Sequence, residues 1–138
     1  MLYTLQQALF DNSNDTQQKV ETLCIAYIQY AVKNQAYYRV MFSDCQRNNP
    51  KYPILQQLAE EAFEVLLNAI ETGQKTEVFI SEDDKQLAYV CWSLVHGVSM
   101  LAINGQLMTS NRDSIFELAS IAAKAMSKGF CSKIIEAE

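Results

Sequence analysis

Residues 86–111 contain no aspartate, glutamate, lysine or arginine, although charged residues make up 20% of this 138-residue chain. The segment also holds the only tryptophan, Trp92, and the only histidine, His96. A helix that is apolar on nearly every side has to be buried on every side, in a core, against a second subunit or in a membrane. What covers this helix therefore limits what kind of protein the chain can be.

The composition is that of a single folded domain spanning residues 1–138, which is long enough to bury a core without a metal or a disulfide. Hydrophobic residues make up 49% of the chain, and only four glycines and two prolines are present, which favours long helices over a many-stranded β fold. The net charge is −5, and the eleven lysines and arginines are scattered. Because phosphate contacts require a basic patch, we do not expect this chain by itself to bind nucleic acid.

The four cysteines are widely spaced and form neither a CxxC pair nor a cysteine–histidine pattern that would hold zinc. Cys24 and Cys91 lie on apolar helix faces, so we interpret them as small hydrophobic core residues in a reducing cytosol. The N-terminus lacks the basic segment and cleavage site of a secretory signal peptide. The sequence therefore predicts a cytoplasmic protein with no bound metal ion and no cofactor.

Apolar residues recur at helical spacing along most of the chain, which predicts an all-α bundle of five to six helices. We expect Ser13 or Asn14 to cap one early helix, and Gly73 to end the helix that follows Pro53. Residues 76–80 are predicted to form a loop, because so short an apolar run has no second strand to pair with. The apolar face of the early helix consists of Val20, Leu23, Cys24, Tyr27, Ile28 and Ala31.

The charge-free helix and the last helix carry similar start signals. Ser81 and Asp84 resemble a capping box at the start of the charge-free helix, and Ser110 begins the last helix in the same way. Gly105 is placed to end the charge-free helix, and the last helix is expected to reach about Cys131.

Dimerisation is the best explanation for the two apolar stripes of the charge-free helix. A membrane span is disfavoured, because residues 87–103 are near the lower limit of about 17–25 residues and lack basic flanks. The central helix of a monomeric bundle is the remaining alternative. We expect the last two long helices of each chain to form an intermolecular four-helix bundle. The interface candidates are Leu87, Cys91, Leu94, Val95 and Val98 on the charge-free helix, and Ile115, Ala119, Ala122 and Met126 on the last helix.

Two short motifs resemble those of a known family. Residues 92–97 read Trp-Ser-Leu-Val-His-Gly, which is similar to the Trp-(three residues)-His-Gly signature of one subgroup of the TetR/AcrR-type transcriptional regulators. Residues 38–42 read Tyr-Arg-Val-Met-Phe, which also matches the family pattern, although Gln35 stands where proline is usual. The resemblance covers essentially the whole chain and concerns the C-terminal ligand-binding and dimerisation domain.

The resemblance implies a helical domain that pairs with itself and binds a small effector between its helices. The family's helix-turn-helix unit is expected before Met1, so we expect DNA binding only through that N-terminal domain, which is absent from this sequence. The chain is accordingly expected to be the ligand-sensing and homodimerisation domain of a repressor whose DNA binding is relieved by the effector. The alternative is a freestanding helical interaction protein that forms heterodimers with a full-length regulator.

Aromatic and apolar side chains are expected to converge where the resemblance places the effector. Because little charge is available there, we expect an apolar or neutral aromatic effector. His96 is interpreted as a buried histidine bonded to a neighbouring helix or as a polar contact to the effector, and a catalytic or metal-binding role is the least favoured. No catalytic residue is assigned, because the charge-free helix has no carboxylate to orient His96. The candidate ligand-binding residues are Tyr27, Tyr30, Phe42, Phe63, Leu66, Trp92, His96 and Met100, with Ser93 and Asn104 as further polar candidates.

Overall fold

Long helices follow the apolar periodicity of the sequence and confirm the predicted all-α class. The computed structural model describes residues 4–7, 15–43, 53–108 and 111–131, of which residues 4–7 form a helical turn. The helices that follow are α1 (Thr16–Lys33), α2 (Gln35–Ser43), α3 (Pro53–Lys75), α4 (Asp84–Ile103) and α5 (Arg112–Phe130). The charge-free helix of the sequence is α4, and the predicted last helix is α5.

Short polar side chains cap three of these helices. Asp15 Oδ1 accepts hydrogen bonds from the N–H groups two and three residues along α1, at 3.0 and 3.4 Å. Asp83 caps α4 in the same way at 3.0 and 3.1 Å, and Asn111 caps α5 at 2.8 Å. The predicted cap at Ser81 is wrong by two residues, and Ile80, the residue before it, donates its N–H to the last carbonyl of α5 at 2.8 Å. The predicted caps at Ser13, Asn14 and Ser110 lie outside the described residues.

Gly105 ends α4, as the sequence predicts. Its φ of +67° is a left-handed value that glycine adopts without strain. The N–H of Gly105 donates to the carbonyl of Ala102 at 3.2 Å, and that of Gln106 donates to the carbonyl of Leu101 at 2.9 Å. These two bonds form a Schellman motif, which satisfies carbonyls that the end of the helix would otherwise leave unpaired.

Gly73 does not end α3, contrary to the prediction, but lies inside its last turn. A Cβ at this position would lie 2.1 Å from the ring of Phe79, so only glycine leaves room for that ring. Phe79 also forms an isolated antiparallel bridge with Cys131. The loop predicted at residues 76–80 is therefore folded back over α3 and held to the end of α5.

The core forms around α1, which packs against α3, α4 and α5. All six residues of its predicted apolar face are buried, which confirms that prediction. Helix α4 is long and apolar enough to cross a membrane, but core helices of soluble proteins pass the same test. Helix α4 packs against α1, α3 and α5, and the chain itself buries 33% of this apolar stretch.

Most residues of the predicted dimer interface are buried within the chain itself, and the interface stays a prediction. Leu94, Val98 and Ala122 keep partial exposure. Helical spacing identifies apolar residues on several sides of α4, but it does not show which of them the chain itself covers, and α1, α3 and α5 all pack against this helix. Six of the nine predicted interface residues are buried in the chain's own core and are not available to a partner: Leu87, Cys91, Val95, Ile115, Ala119 and Met126.

Candidate functional site

A cavity lies where α1, α2, α3 and α4 meet beside the helical turn at residues 4–7. The cavity has a volume of about 50 Å³ and is partly open to solvent. One water needs roughly 10–15 Å³, so the cavity holds a few heavy atoms unless its walls move. The lining residues that the structure describes are all uncharged: Leu5, Leu23, Cys24, Tyr27, Met41, Phe42, Ala59, Ala62, Phe63, Leu66, Cys91, Trp92 and Val95.

Aromatic rings from three helices form one wall of the cavity. The ring of Trp92 on α4 lies 6.4 Å from that of Phe42 on α2 and 5.9 Å from that of Phe63 on α3, measured between centroids. Tyr89, one turn before Trp92, packs against Phe63 at 5.0 Å. Aromatic pairs at these separations add to the energy of burial. The wall depends on three separate helices, so a change in their spacing would alter the size of the cavity.

A chain of polar side chains begins at this wall and continues into the core. The indole N–H of Trp92 donates to Tyr27 Oη at 3.3 Å. Tyr27 Oη lies 2.8 Å from Tyr38 Oη, which lies 2.5 Å from His96 Nδ1. Indole nitrogen is a donor only, so one consistent direction has Tyr27 donating to Tyr38 and Tyr38 donating to His96. In this arrangement His96 is neutral and accepts at Nδ1.

Burial controls the protonation of this chain. It raises the pKa of Tyr27 to about 12, although the hydrogen bonds to Tyr38 and Trp92 act in the opposite direction. The pKa of Tyr38 is raised further, first by burial and then by the nearby Tyr27 hydroxyl. Burial lowers the pKa of His96 below its ordinary value, which favours the neutral ring. All three groups are therefore uncharged near neutral pH, which suits an apolar cavity wall.

The two sequence motifs meet at this site. Tyr38 and Phe42, from the motif at residues 38–42, contact His96 with ring centroids 5.7 and 4.6 Å away. Arg39, from the same motif, donates from Nη2 to the carbonyl of Ile103 at 3.0 Å. A guanidinium at the C-terminal end of α4 also favours the helix dipole. The motif on α2 thus holds α4 at its middle and at its end.

Two cysteine thiols also belong to the cavity wall. Cys24 Sγ on α1 and Cys91 Sγ on α4 lie 3.2 Å apart, and both residues are buried and free. The hydrogen bond to Cys24 and burial raise the pKa of the Cys91 thiol well above its ordinary value. Their burial agrees with the interpretation of both as core residues, but their side chains also line the cavity.

One comparison identifies the family of this architecture. A model of the family described as "Tetracyclin repressor-like, C-terminal domain" matches residues 20–122 of the 138. The chain belongs to this family. Domains of this family are regulatory and non-enzymatic, and membership suggests a role in ligand binding and dimerisation.

The fold also resembles a solved structure, the "Structure of a protein with unknown function from Rhodococcus sp. RHA1". The two share 16% sequence identity and superpose with a TM-score of 0.83, over 95% of this chain and 66% of that one. At this identity the likeness concerns the fold alone, and the present chain spans slightly less than two thirds of that protein's length. Among curated proteins, no match to this chain is found.

The structure brings together five of the eight predicted ligand-binding residues of this domain: Tyr27, Phe42, Phe63, Leu66 and Trp92 line the cavity. His96 does not line the cavity, but it is connected through Tyr38 to Tyr27, which does. Tyr30 and Met100 are partly buried but do not line the cavity. Ser93 and Asn104, the further polar candidates, are exposed on the outside of α4. Contact with a ligand stays a prediction for all of them.

Sequence reasoning missed several cavity residues for two physical reasons. The sequence predicts a dimer interface for Cys91 and Val95, whereas in the structure they line the cavity together with Trp92. The sequence identifies Tyr38 only as part of a motif. Its hydroxyl meets that of Tyr27 because α1 and α2 are separate helices, which spacing along the chain does not indicate. The other cavity residues that were not predicted are Leu5, Leu23, Cys24, Met41, Ala59 and Ala62.

The chemistry of this cavity suits binding. Within the described ranges, no three histidine, cysteine, aspartate or glutamate side chains gather where they could hold a metal ion. The polar groups at its wall, on Tyr27 and Trp92, already bond to each other. A neutral, mostly apolar molecule therefore fits the wall without leaving a buried polar group unpaired.

Proposed function

We propose that this chain is the ligand-sensing and homodimerisation domain of a TetR-type transcriptional repressor, in the subgroup with the Trp-His-Gly signature. The observation that carries the proposal is the position of α4. Trp92 and Val95 on one side of this helix line the cavity, whereas Val90 and Leu101 on the other side are 53% and 47% exposed. One helix is thus shared between a ligand cavity and an apolar outer surface.

The effector in this proposal is a small apolar or aromatic molecule. The uncharged lining supports this, because an ionised ligand would lose its hydration without gaining a partner. The small volume of the cavity supports a ligand of a few heavy atoms, or a larger ligand that moves α3 and α4 apart. No cofactor, metal ion or catalytic residue enters the proposal.

The proposed dimer uses an outer stripe that replaces the interface predicted from the sequence. On α4 the stripe consists of Val90, Leu94, Gly97 and Leu101, and on α5 of Leu118, Ile121 and Ala125, all at least partly exposed. Both sets follow the spacing i, i+3 or i+4, i+7, i+11 that aligns residues along one helix face. Exposed apolar residues at such regular spacing are unusual in a monomer and fit an intermolecular four-helix bundle.

Ligand binding and DNA binding are coupled through α4 in this proposal. A ligand that binds one spacing of α3 and α4 better than another shifts the population toward that spacing. Because α4 also carries the outer stripe, the shift changes the angle between the two subunits. The helix-turn-helix unit, which is not part of this sequence, must reach half-sites about 34–36 Å apart or a multiple of that distance. A small rotation would therefore release the repressor from DNA in the cytoplasm.

Trp92 provides a direct test, because it is the only tryptophan and it lies in the cavity wall. Titration with toluene should change its fluorescence saturably. Ala62→Leu should abolish that change by filling the cavity, and Ala36→Leu, at an exposed position on α2, should leave it intact. An unchanged spectrum with toluene and other single-ring aromatics, in a folded protein, would overturn ligand sensing in this cavity.

The same outer stripe also fits the alternative of a freestanding partner for a full-length regulator. Sedimentation equilibrium of the chain alone, and then of the chain mixed with a full-length family member, separates the two. A dimer in the first experiment supports homodimerisation. A monomer that forms a heterodimer only in the second supports the alternative.

A further inference from the structure

The thiols of Cys24 and Cys91 lie side by side in the cavity wall, and the proposed function gives them no role. Their sulfurs lie 3.2 Å apart across the α1–α4 contact, and both side chains line the cavity. Neither thiol is paired in a disulfide, and both residues are almost completely buried. Two soft ligands are thus fixed side by side at the edge of an apolar space.

We propose that this pair binds a trivalent arsenical carrying one small organic group, with arsenic bonded to both sulfurs and the organic group in the cavity. The inference rests on the proposed function, because it assumes that the cavity admits ligands. It goes beyond that function in naming two covalent ligands and the chemical class of the effector.

The reaction balances without any further reagent. Two As–S bonds form and two As–O bonds of the R–As(OH)₂ group break, and each thiol proton leaves with a hydroxyl as water. Neither arsenic nor sulfur changes its oxidation state. The product is uncharged, so it can lie among the apolar side chains of the wall without the desolvation penalty of an ion.

Geometry selects arsenic over other soft elements. Pyramidal trivalent arsenic holds two sulfurs near van der Waals contact, as they already are here. Linear mercury(II) or copper(I) would need the sulfurs on opposite sides of the metal, and structural zinc needs four ligands. The described residues offer no group of three or more metal-binding side chains. An arsenical with one carbon substituent needs only two sulfurs to complete its three bonds.

Peroxide sensing by disulfide formation fits the site less well. Oxidation by peroxide begins with a thiolate. The hydrogen bond to Cys24 and burial both hold Cys91 in the thiol form. Reaction with an arsenical does not require a thiol that is already deprotonated, because the arsenic-bound hydroxyl takes up the thiol proton.

The test uses methylarsonous acid with the whole chain. We expect one adduct per chain, with a mass increase equal to the reagent less two waters, and a loss of two of the four titratable thiols. Trp92 fluorescence should change in parallel, since Trp92 lines the same cavity. A dithiol such as 2,3-dimercaptopropanol should remove the adduct, whereas a monothiol at the same concentration should not. Inorganic arsenite should bind more weakly, because its third ligand is a hydroxyl facing apolar side chains.

Matched cysteine variants decide which thiols react. Cys24→Ser and Cys91→Ser should each weaken binding roughly 100-fold or more, because the second As–S bond is intramolecular and its advantage is lost. Cys131→Ser should bind like the parent, because Cys131 lies at the end of α5, away from the cavity. Circular dichroism establishes that each variant is folded, and alanine replaces serine at either position where it is not. Parent-like binding by a folded Cys24 variant would overturn the inference.

Toluene titration separates failure of this inference from failure of the proposed function. If toluene binds but methylarsonous acid does not, the arsenical proposal is wrong and the ligand cavity stands. If neither binds to the folded chain, both are wrong.

Discussion

Tyr38 Oη lies 2.5 Å from His96 Nδ1, although 58 residues separate the two in the sequence. This hydrogen bond joins α2 to α4 and connects the motif at residues 38–42 with the motif at residues 92–97. Through Tyr27 and Trp92 the same chain of hydrogen bonds reaches the cavity. The polar residues of the two motifs thus serve first to position α2 and α4.

Replacement of Tyr38 by phenylalanine should destabilise the fold. The side chain is 0% exposed, and its loss leaves Tyr27 Oη and His96 Nδ1 without their shared partner. We expect a decrease of about 1–3 kcal/mol in the free energy of unfolding, because buried polar groups would stay unpaired. Urea denaturation measures it. Tyr37→Phe is the matched control, because the side chain of Tyr37 is 72% exposed. This substitution should change the free energy of unfolding by less than about 0.5 kcal/mol.

His96 should make stability depend on pH below about neutrality. Burial lowers its pKa in the folded protein, so the unfolded chain takes up the proton first as the pH falls through the ordinary value of 6.5. Above that pH this group should not make stability vary with pH. Below it, stability should fall until the folded histidine is protonated too. Comparing the parent with His96→Asn by urea denaturation at about pH 8 and about pH 5.5 isolates this contribution. An equal difference between the two proteins at both pH values would contradict it.

Gly97 offers a test in which folding and association respond in opposite directions. A Cβ built at this position meets none of the described residues within 4 Å outside its own helix backbone and chain neighbours, so alanine fits the folded monomer. Gly97→Ala should therefore raise the free energy of unfolding of the monomer by about 1 kcal/mol, through better helix propensity. If Gly97 lets a partner helix approach, the same change should weaken the dimer in sedimentation equilibrium. A variant that is more stable and equally dimeric would remove Gly97 from the interface.

Ile121 provides the sharpest test of the outer stripe. It is 59% exposed on α5, so a charge there should leave the monomer folded. Ile121→Glu should convert the dimer to a folded monomer, as judged by sedimentation equilibrium and circular dichroism. Val40→Glu is the matched control, because Val40 is 60% exposed but lies on α2. Dimers that persist in Ile121→Glu would place the interface elsewhere.

The sequence by itself determined the helices and the composition of the core. Apolar spacing identified the buried face of α1 down to single residues such as Val20 and Ile28, and Gly105 marked the end of α4. These features depend on interactions within a few residues along the chain, where the helical period relates spacing to direction. The predicted cap of α4 lies two residues before the observed one, next to a segment that a distant contact, the bond from Ile80 to the end of α5, holds in place.

Only the tertiary structure decided which apolar face lines the cavity and which remains exposed. Helical spacing showed that α4 is apolar on several sides, but α1 and α3 had to be in place before Cys91 and Val95 were seen to line a cavity and Val90 to remain outside. The same holds for the pairing of Cys24 with Cys91 across two helices. A period along one helix gives the direction of a side chain relative to its neighbours in sequence. What lies in that direction depends on how the helices pack, and that depends on contacts between residues far apart in the chain.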